Sequence, residues 1–217
     1  MKLRTARPTA RIPRILSVFI LGALLGVVPA SASATPGPGL QDGDRLSVKR
    51  HFFVLNGLRR VPGQWGELVV PENRSDPRSR QIQVTFGRLP ATGGSSGVPI
   101  FFIAGGPGAS GIGSFAGNAE WLLPFRQFGD VVLVEQRGTG YSRPRLDCTE
   151  RWDFSITAPL KRNQLIESAR QRFAACRRAW QAEGVDLAGY NTVAYARDIV
   201  AVADALGYQR FAVIAFS

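Results

Sequence analysis

Residues Pro99–Ser110 read Pro-Ile-Phe-Phe-Ile-Ala-Gly-Gly-Pro-Gly-Ala-Ser, and this stretch constrains the fold more than any other. Ile100 to Ile103 is an unbroken apolar run, the pattern of a strand covered on both faces. Gly105, Gly106 and Gly108 follow at once, with Pro107 among them. Glycine permits positive φ and the close approach of a neighbouring group. Proline fixes one φ and removes one N–H donor. Ser110 suits the N-cap of a helix starting near Gly111. A strand, a glycine turn and a helix start gather backbone N–H groups around one point, a place for a negative charge. The open question is which charge.

The flanking sequence supplies the rest of a layered domain. His51 to Leu58 is apolar and ends at Asn56-Gly57, a possible hairpin tip. Gly66 to Val70 reads as a short strand ending at Pro71. Glu72 to Arg80, rich in Asn, Asp, Ser and Pro, reads as a turn. Gln81 to Arg88 alternates, with Ile82, Val84 and Phe86 on one face and Gln81, Gln83 and Thr85 on the other, which predicts a half-buried strand. After the glycine turn a helix is expected around Ala119 to Phe125, interrupted by Pro124. Val131 to Val134 is a second fully apolar strand. Leu165 to Trp180 fits a helix, with Ile166, Ala169, Phe173, Cys176 and Trp180 at helical spacing. Thr192 to Leu206 is the clearest helix: Asn191 caps it, Ala196, Ile199, Val200, Ala203 and Leu206 form its stripe, and Gly207 stops it. Phe211 to Phe216 is a third apolar strand, followed by Ser217. Apolar strands separated by helices predict an α/β class with a mainly parallel sheet and antiparallel strands at its N-terminal side.

Residues 1–34 have the order of a secretory signal peptide. Lys2, Arg4, Arg7, Arg11 and Arg14 precede the 14-residue apolar run Ile15–Val28, and Ala30-Ser31-Ala32 and Ala32-Ser33-Ala34 offer small-residue cleavage sites. The run is short for a spanning helix. The expectation is therefore a secreted or periplasmic protein with no membrane contact after cleavage. Thr35 to Asp44, rich in Pro and Gly, reads as a leader, and residues 35–65 as leader plus hairpin ahead of a domain over 66–217.

The formal net charge is +11, and setting aside the five cations of residues 1–34 leaves +6. The remaining cations are spread along the chain without interleaved stacking aromatics, so a solvated basic face fits better than a nucleic-acid surface. The two cysteines, Cys148 and Cys176, read as one disulfide in an exported chain, with two buried thiols as the alternative. Nothing in the sequence calls for a metal or a cofactor. The one histidine, His51, sits in a strand-like segment, as a structural or surface residue would.

The glycine loop admits two readings. Gly106-Pro107-Gly108-Ala109-Ser110-Gly111 has the Gly-X-Gly-X-X-Gly spacing, follows a strand and precedes a helix. Glu135 ends the next strand 24 residues beyond Gly111. That is close to a dinucleotide-binding fingerprint. Pro107 stiffens the turn, however, and this reading leaves Arg137 to Ser142 unexplained. The other reading starts from Ser217. A serine at a sharp strand-to-helix turn has the geometry of a nucleophile elbow, with Ala215 in the first glycine position of Gly-X-Ser-X-Gly. The glycine loop would then supply an oxyanion hole.

Three spaced motifs carry a family resemblance. Ala104-Gly105-Gly106-Pro107-Gly108 resembles the His-Gly-Gly-Pro-Gly loop of the proline iminopeptidase and tripeptidyl aminopeptidase branch of the α/β-hydrolases. Glu135-Gln136-Arg137-Gly138-Thr139-Gly140-Tyr141-Ser142 is similar to that branch's Asp-Gln-Arg-Gly-X-Gly-X-Ser. Pro71-Glu72-Asn73-Arg74 resembles a turn of its exported members, and Asp198 sits on the helix before the elbow as in the family. Ala104, Glu135 and Ala215 replace the family's histidine, aspartate and glycine. The resemblance runs from about Gly66 to Ser217. It implies an α/β-hydrolase fold that removes N-terminal residues from peptide or aminoacyl substrates. Ser217 would be the nucleophile and Gly105 and Gly106 the oxyanion hole. Pro107, Gly108, Glu135, Gln136, Arg137, Gly138 and Gly140 would be supporting loop residues, with Arg137 holding loop conformation. In this fold the order is Ser, then Asp or Glu, then His. With no acid or histidine after Ser217, the expectation is a partial domain without the later sheet and cap, inactive by itself. A non-catalytic exported peptide-binding fragment is a further alternative.

Overall fold

The structure is a computed structural model that describes residues 46–55, 59–94, 97–106, 108–148 and 161–216. The expected signal peptide and leader, the expected Asn56-Gly57 tip, Pro107 and Ser217 lie outside the described residues.

Six strands form one sheet: β1 (Leu46–Leu55), β2 (Arg59–Pro71), β3 (Gln81–Leu89), β4 (Ile100–Ile103), β5 (Val131–Val134) and β6 (Ala212–Ala215). Their spatial order is β1-β2-β3-β5-β4-β6. β1–β2, β2–β3 and β3–β5 pair antiparallel, while β4 pairs parallel with both β5 and β6. The α/β class and the antiparallel N-terminal strands are as expected, but the mainly parallel sheet is not. Among the described strands three of the five pairings are antiparallel, because β2 runs from Arg59 instead of Gly66 and makes long ladders on both sides.

Among the described residues three α-helices flank the sheet: α1 (Gly111–Leu122), α2 (Arg162–Ala182) and α3 (Thr192–Ala205). α1 starts at Gly111 as the Ser110 cap predicts, with Ser110 accepting from the Gly113 N–H at 2.7 Å, and it runs unbroken into the part expected around Ala119. Pro124 lies in the 3-10 segment Leu123–Gln127 that follows. Ile112, Phe115, Ala119 and Leu122 of α1 pack with Phe102, Val131 and Leu133 on one face of the sheet. Ile199, Val202 and Ala203 of α3 pack with Phe101, Val132 and Val134 on the other. Alternate residues of β4 and β5 therefore serve opposite cores, which is why both strands are apolar throughout.

Three expectations about faces need correction. Thr85 is fully buried: its hydroxyl donates to Tyr141 O at 3.0 Å and its N–H to Ser142 Oγ at 3.1 Å, so β3 is covered on both sides. On α3 the buried set is Ala194, Asp198, Ile199, Val202 and Ala203, whereas Ala196 and Val200 are exposed. The stripe is rotated because a buried carboxylate, Asp198, belongs to it. On α2 only Cys176 is buried.

Candidate active site

β4 sits between β5 and β6, so the chain leaves β4 for one neighbour and crosses over to the other. Ligands in open α/β sheets bind beyond the carboxyl ends of strands where such a reversal occurs. Here those ends are Ala104-Gly105-Gly106 after β4, Gln136-Arg137 after β5 and Phe216 after β6. They line a cavity of about 530 Å³ together with Tyr190, Asn191, Thr192 and Tyr195 from the start of α3. The Phe216 N–H donates to Ile103 O at 3.1 Å, so the chain leaves β6 beside the glycine loop.

The glycine loop needs its glycines sterically. Gly106 has φ 140°, and a Cβ there would lie 2.6 Å from the Gly108 nitrogen. Gly108 also has positive φ. The loop closes through the Ala109 N–H bonded to Gly105 O at 3.3 Å. The N–H groups of Gly105 and Gly106 donate to no acceptor among the described residues.

The charge at the start of α1 belongs to the protein itself. Glu135 is fully buried. Its carboxylate accepts from the Ser110 hydroxyl at 2.5 Å, the Gly111 N–H at 3.0 Å and the Ile112 N–H at 3.1 Å. Burial pushes the Glu135 carboxyl above its ordinary value, and these hydrogen bonds offset that only in part. The helix-start donors are therefore spent, which corrects the expectation that the whole strand-turn-helix unit faces a ligand. It also weighs against the dinucleotide reading: Glu135 accepts the helix-start N–H groups that a pyrophosphate would need. Gly140, with φ 54°, exists to make room for it, since a Cβ there would sit 2.1 Å from Glu135 Oε2.

Arg137 is the centre of a brace behind the cavity. Its side chain is 2% exposed and all five of its N–H donors are used. Nε and Nη2 hold Asp198 bidentately, both at 2.6 Å. Nη1 donates to Glu72 O at 2.5 Å and Gly189 O at 2.7 Å, and Nη2 also to Pro71 O at 3.4 Å. Arg74 adds a third contact to Asp198 at 2.8 Å. Glu72, 1% exposed, accepts both nitrogens of Arg80 at 2.7 and 2.8 Å, the Tyr190 hydroxyl at 2.7 Å and the Asp186 N–H at 3.0 Å. Burial pushes Glu72 up, but the hydrogen bonds from Arg80, Tyr190 and Asp186 outweigh it and hold the carboxyl below its ordinary value. Among the described residues this network ties the β2–β3 turn, the loop after β5 and the start of α3 into one unit.

Gln136 Nε2 donates to Ala104 O at 3.3 Å, linking the two loops. Gly138, at positive φ, turns the second loop, and its carbonyl accepts the Leu146 N–H at 2.8 Å. Cys148 and Cys176 form a disulfide with Cα atoms 5.4 Å apart, a pairing compatible with an extracellular location. It ties α2 to the segment after that loop and takes no part in the cavity. His51 is on β1, at the opposite edge of the sheet from β6, packed against Phe53 and Trp65. In the sequence Asn191 and Thr192 signal only a helix start and Tyr190 carries no motif; their nearness to the cavity follows from how α3 is anchored.

No family model matches the chain. Over 165 residues it is 26% identical to "Putative hydrolase YuaR" of Escherichia coli (strain K12), across 76% of this chain and 31% of that protein. The chain thus spans about a third of the length of this relative.

Proposed function

We propose that the chain belongs to a secreted serine hydrolase of α/β-hydrolase fold, with Ser217 as nucleophile and Gly105 and Gly106 as oxyanion donors. The observation that carries the reading is the convergence of three strand ends on one cavity lined by Gly105 and Gly106, whose backbone N–H groups have no acceptor among the described residues. An acyl oxygen there would gain negative charge during attack by a hydroxyl at residue 217, and preorganised N–H groups stabilise that charge. Charges around the cavity are already neutralised: Arg137 by Asp198, and Glu135 by its hydrogen-bonded helix start. That leaves a neutral wall suited to an amide or ester carbonyl. The family resemblance narrows the substrate to peptides cleaved near their N-terminus. Activation of a serine hydroxyl needs a base, and in this fold the acid and histidine follow the nucleophile in sequence.

The test joins this chain at Ser217 to the later part of the E. coli relative and exposes the product to a fluorophosphonate probe and to aminoacyl arylamides. Labelling and turnover are expected, and Ser217→Ala should abolish both, by about a millionfold in turnover. A Ser217→Ala protein that still labels would refute the assignment.

A further inference from the structure

α2 is the longest helix among the described residues, yet its only buried residue is Cys176. Leu165, Ile166 and Phe173 are exposed, Phe173 by 56%. Among the described residues the helix is held by the disulfide, by Arg172 Nη2 donating to Cys148 O at 3.0 Å and by the Trp180 indole donating to Asp147 O at 3.3 Å. At about 100° per residue, Ile166, Arg170, Phe173 and Arg177 fall within about 60° of arc, so apolar and cationic side chains alternate along one line. α2 carries Arg162, Arg170, Arg172, Arg177 and Arg178 against Glu167 alone. Arg177 forms no ion pair among the described residues, and Arg170 meets Glu167 only at 4.0 Å with both side chains more than half exposed. Such a pair contributes little.

We propose that this face of α2 docks on an anionic lipid surface, with Ile166 and Phe173 entering the headgroup boundary and Arg170 and Arg177 meeting lipid phosphates. Charge complementarity selects this occupant. A partner helix would bury the line as a seam, and two arginines inside it would lose their hydration without a carboxylate in return. At a lipid surface their stems lie along the apolar residues while the guanidinium groups stay at phosphate level. The proposal revises the expectation that the exported protein has no membrane contact.

The experiment is sedimentation of the disulfide-bonded full chain with phosphatidylglycerol–phosphatidylcholine vesicles at low salt. Residues 1–34 are identical in every variant, so differences between variants report α2. An arginine near an anionic surface contributes about fivefold, so Arg170→Gln with Arg177→Gln should weaken partitioning about 25-fold. Phe173→Ser should weaken it further, and 0.5 M salt should erase the arginine effect, since the screening length there is about 4 Å. The exposed positions should leave the thermal midpoint unchanged. Partitioning unaltered by the double arginine variant would overturn the proposal. So would a concentration-dependent dimer that Phe173→Ser dissolves, which would assign the face to a second copy.

Discussion

Removal of Asp198 tests whether the brace behind the cavity holds the domain together. In the Asp198→Ala protein, Arg137 keeps its three carbonyl contacts but loses both carboxylate bonds, with its side chain only 2% exposed. Breaking one half of a buried pair costs about 3–5 kcal/mol, against a total stability of about 5–15 kcal/mol for a typical domain. Arg78 and Asp76 provide the internal control, since they meet at 3.9 Å with side chains 93% and 44% exposed. Asp76→Ala should cost less than about 1 kcal/mol. Urea unfolding followed by tryptophan fluorescence reads the difference. With a slope of about 2 kcal/mol per molar, the Asp198→Ala midpoint should fall by about 1.5–2.5 M. The double variant Arg137→Met with Asp198→Leu should lose much less than the sum of its single changes, because no buried charge is then left unpaired. Midpoints for Asp198→Ala and Asp76→Ala within 0.5 M of each other would refute the reasoning.

Gly140→Ala should be the most damaging glycine change in the second loop, by more than about 2 kcal/mol, since it combines positive φ with a clash against a fixed carboxylate. Gly93→Ala, with nothing within 4 Å, should show only the left-handed backbone cost of about 1 kcal/mol; equal thermal shifts would contradict this. Glu72 has a lowered pKa, so its contribution is present above its unfolded value near 4.5 and is lost as pH falls through its folded value. Glu135 has a raised pKa, so its contribution is full below the unfolded value and is lost as pH rises through the folded value. Glu72→Gln should therefore flatten the acid limb of a stability–pH curve and Glu135→Gln the opposite slope; two unchanged curves would sink this account. Reduction of Cys148–Cys176 should cost up to about 3.5 kcal/mol on the loop-entropy model and release α2 first, which amide exchange can follow; uniform loss of protection would argue against it. Calorimetric titration with oxidised nicotinamide dinucleotides should show no binding, and micromolar affinity abolished by Glu135→Ala would restore the dinucleotide reading.

What could be read from the sequence depended on whether a residue's role was local. The strand Ile100–Ile103, the Ser110 cap and the strand Val131–Val134 are written in short patterns, and the structure agrees with them. The pairing of the two cysteines also followed from composition and context. The extent of β2 was not legible, because Arg59 to Gly63 has no apolar alternation and becomes strand only by pairing with β1. The rotation of α3 escaped for a related reason: Asp198 is a core residue only because Arg137, 61 residues earlier, reaches it. Glu135 satisfied a motif spacing for one chemistry while serving another, and only the direction of its carboxylate separates the two.

That carboxylate also sets how the glycine loop responds to its surroundings. A helix start that waits for phosphate or sulfate changes shape and affinity with whatever anion the medium supplies. Here the position is permanently occupied from within the chain, 24 residues away in sequence. Added phosphate has nothing to displace there and nothing to order. The loop should keep one shape in dilute buffer and in concentrated salt alike, and any effect of simple anions on the protein should trace to some other part of the molecule.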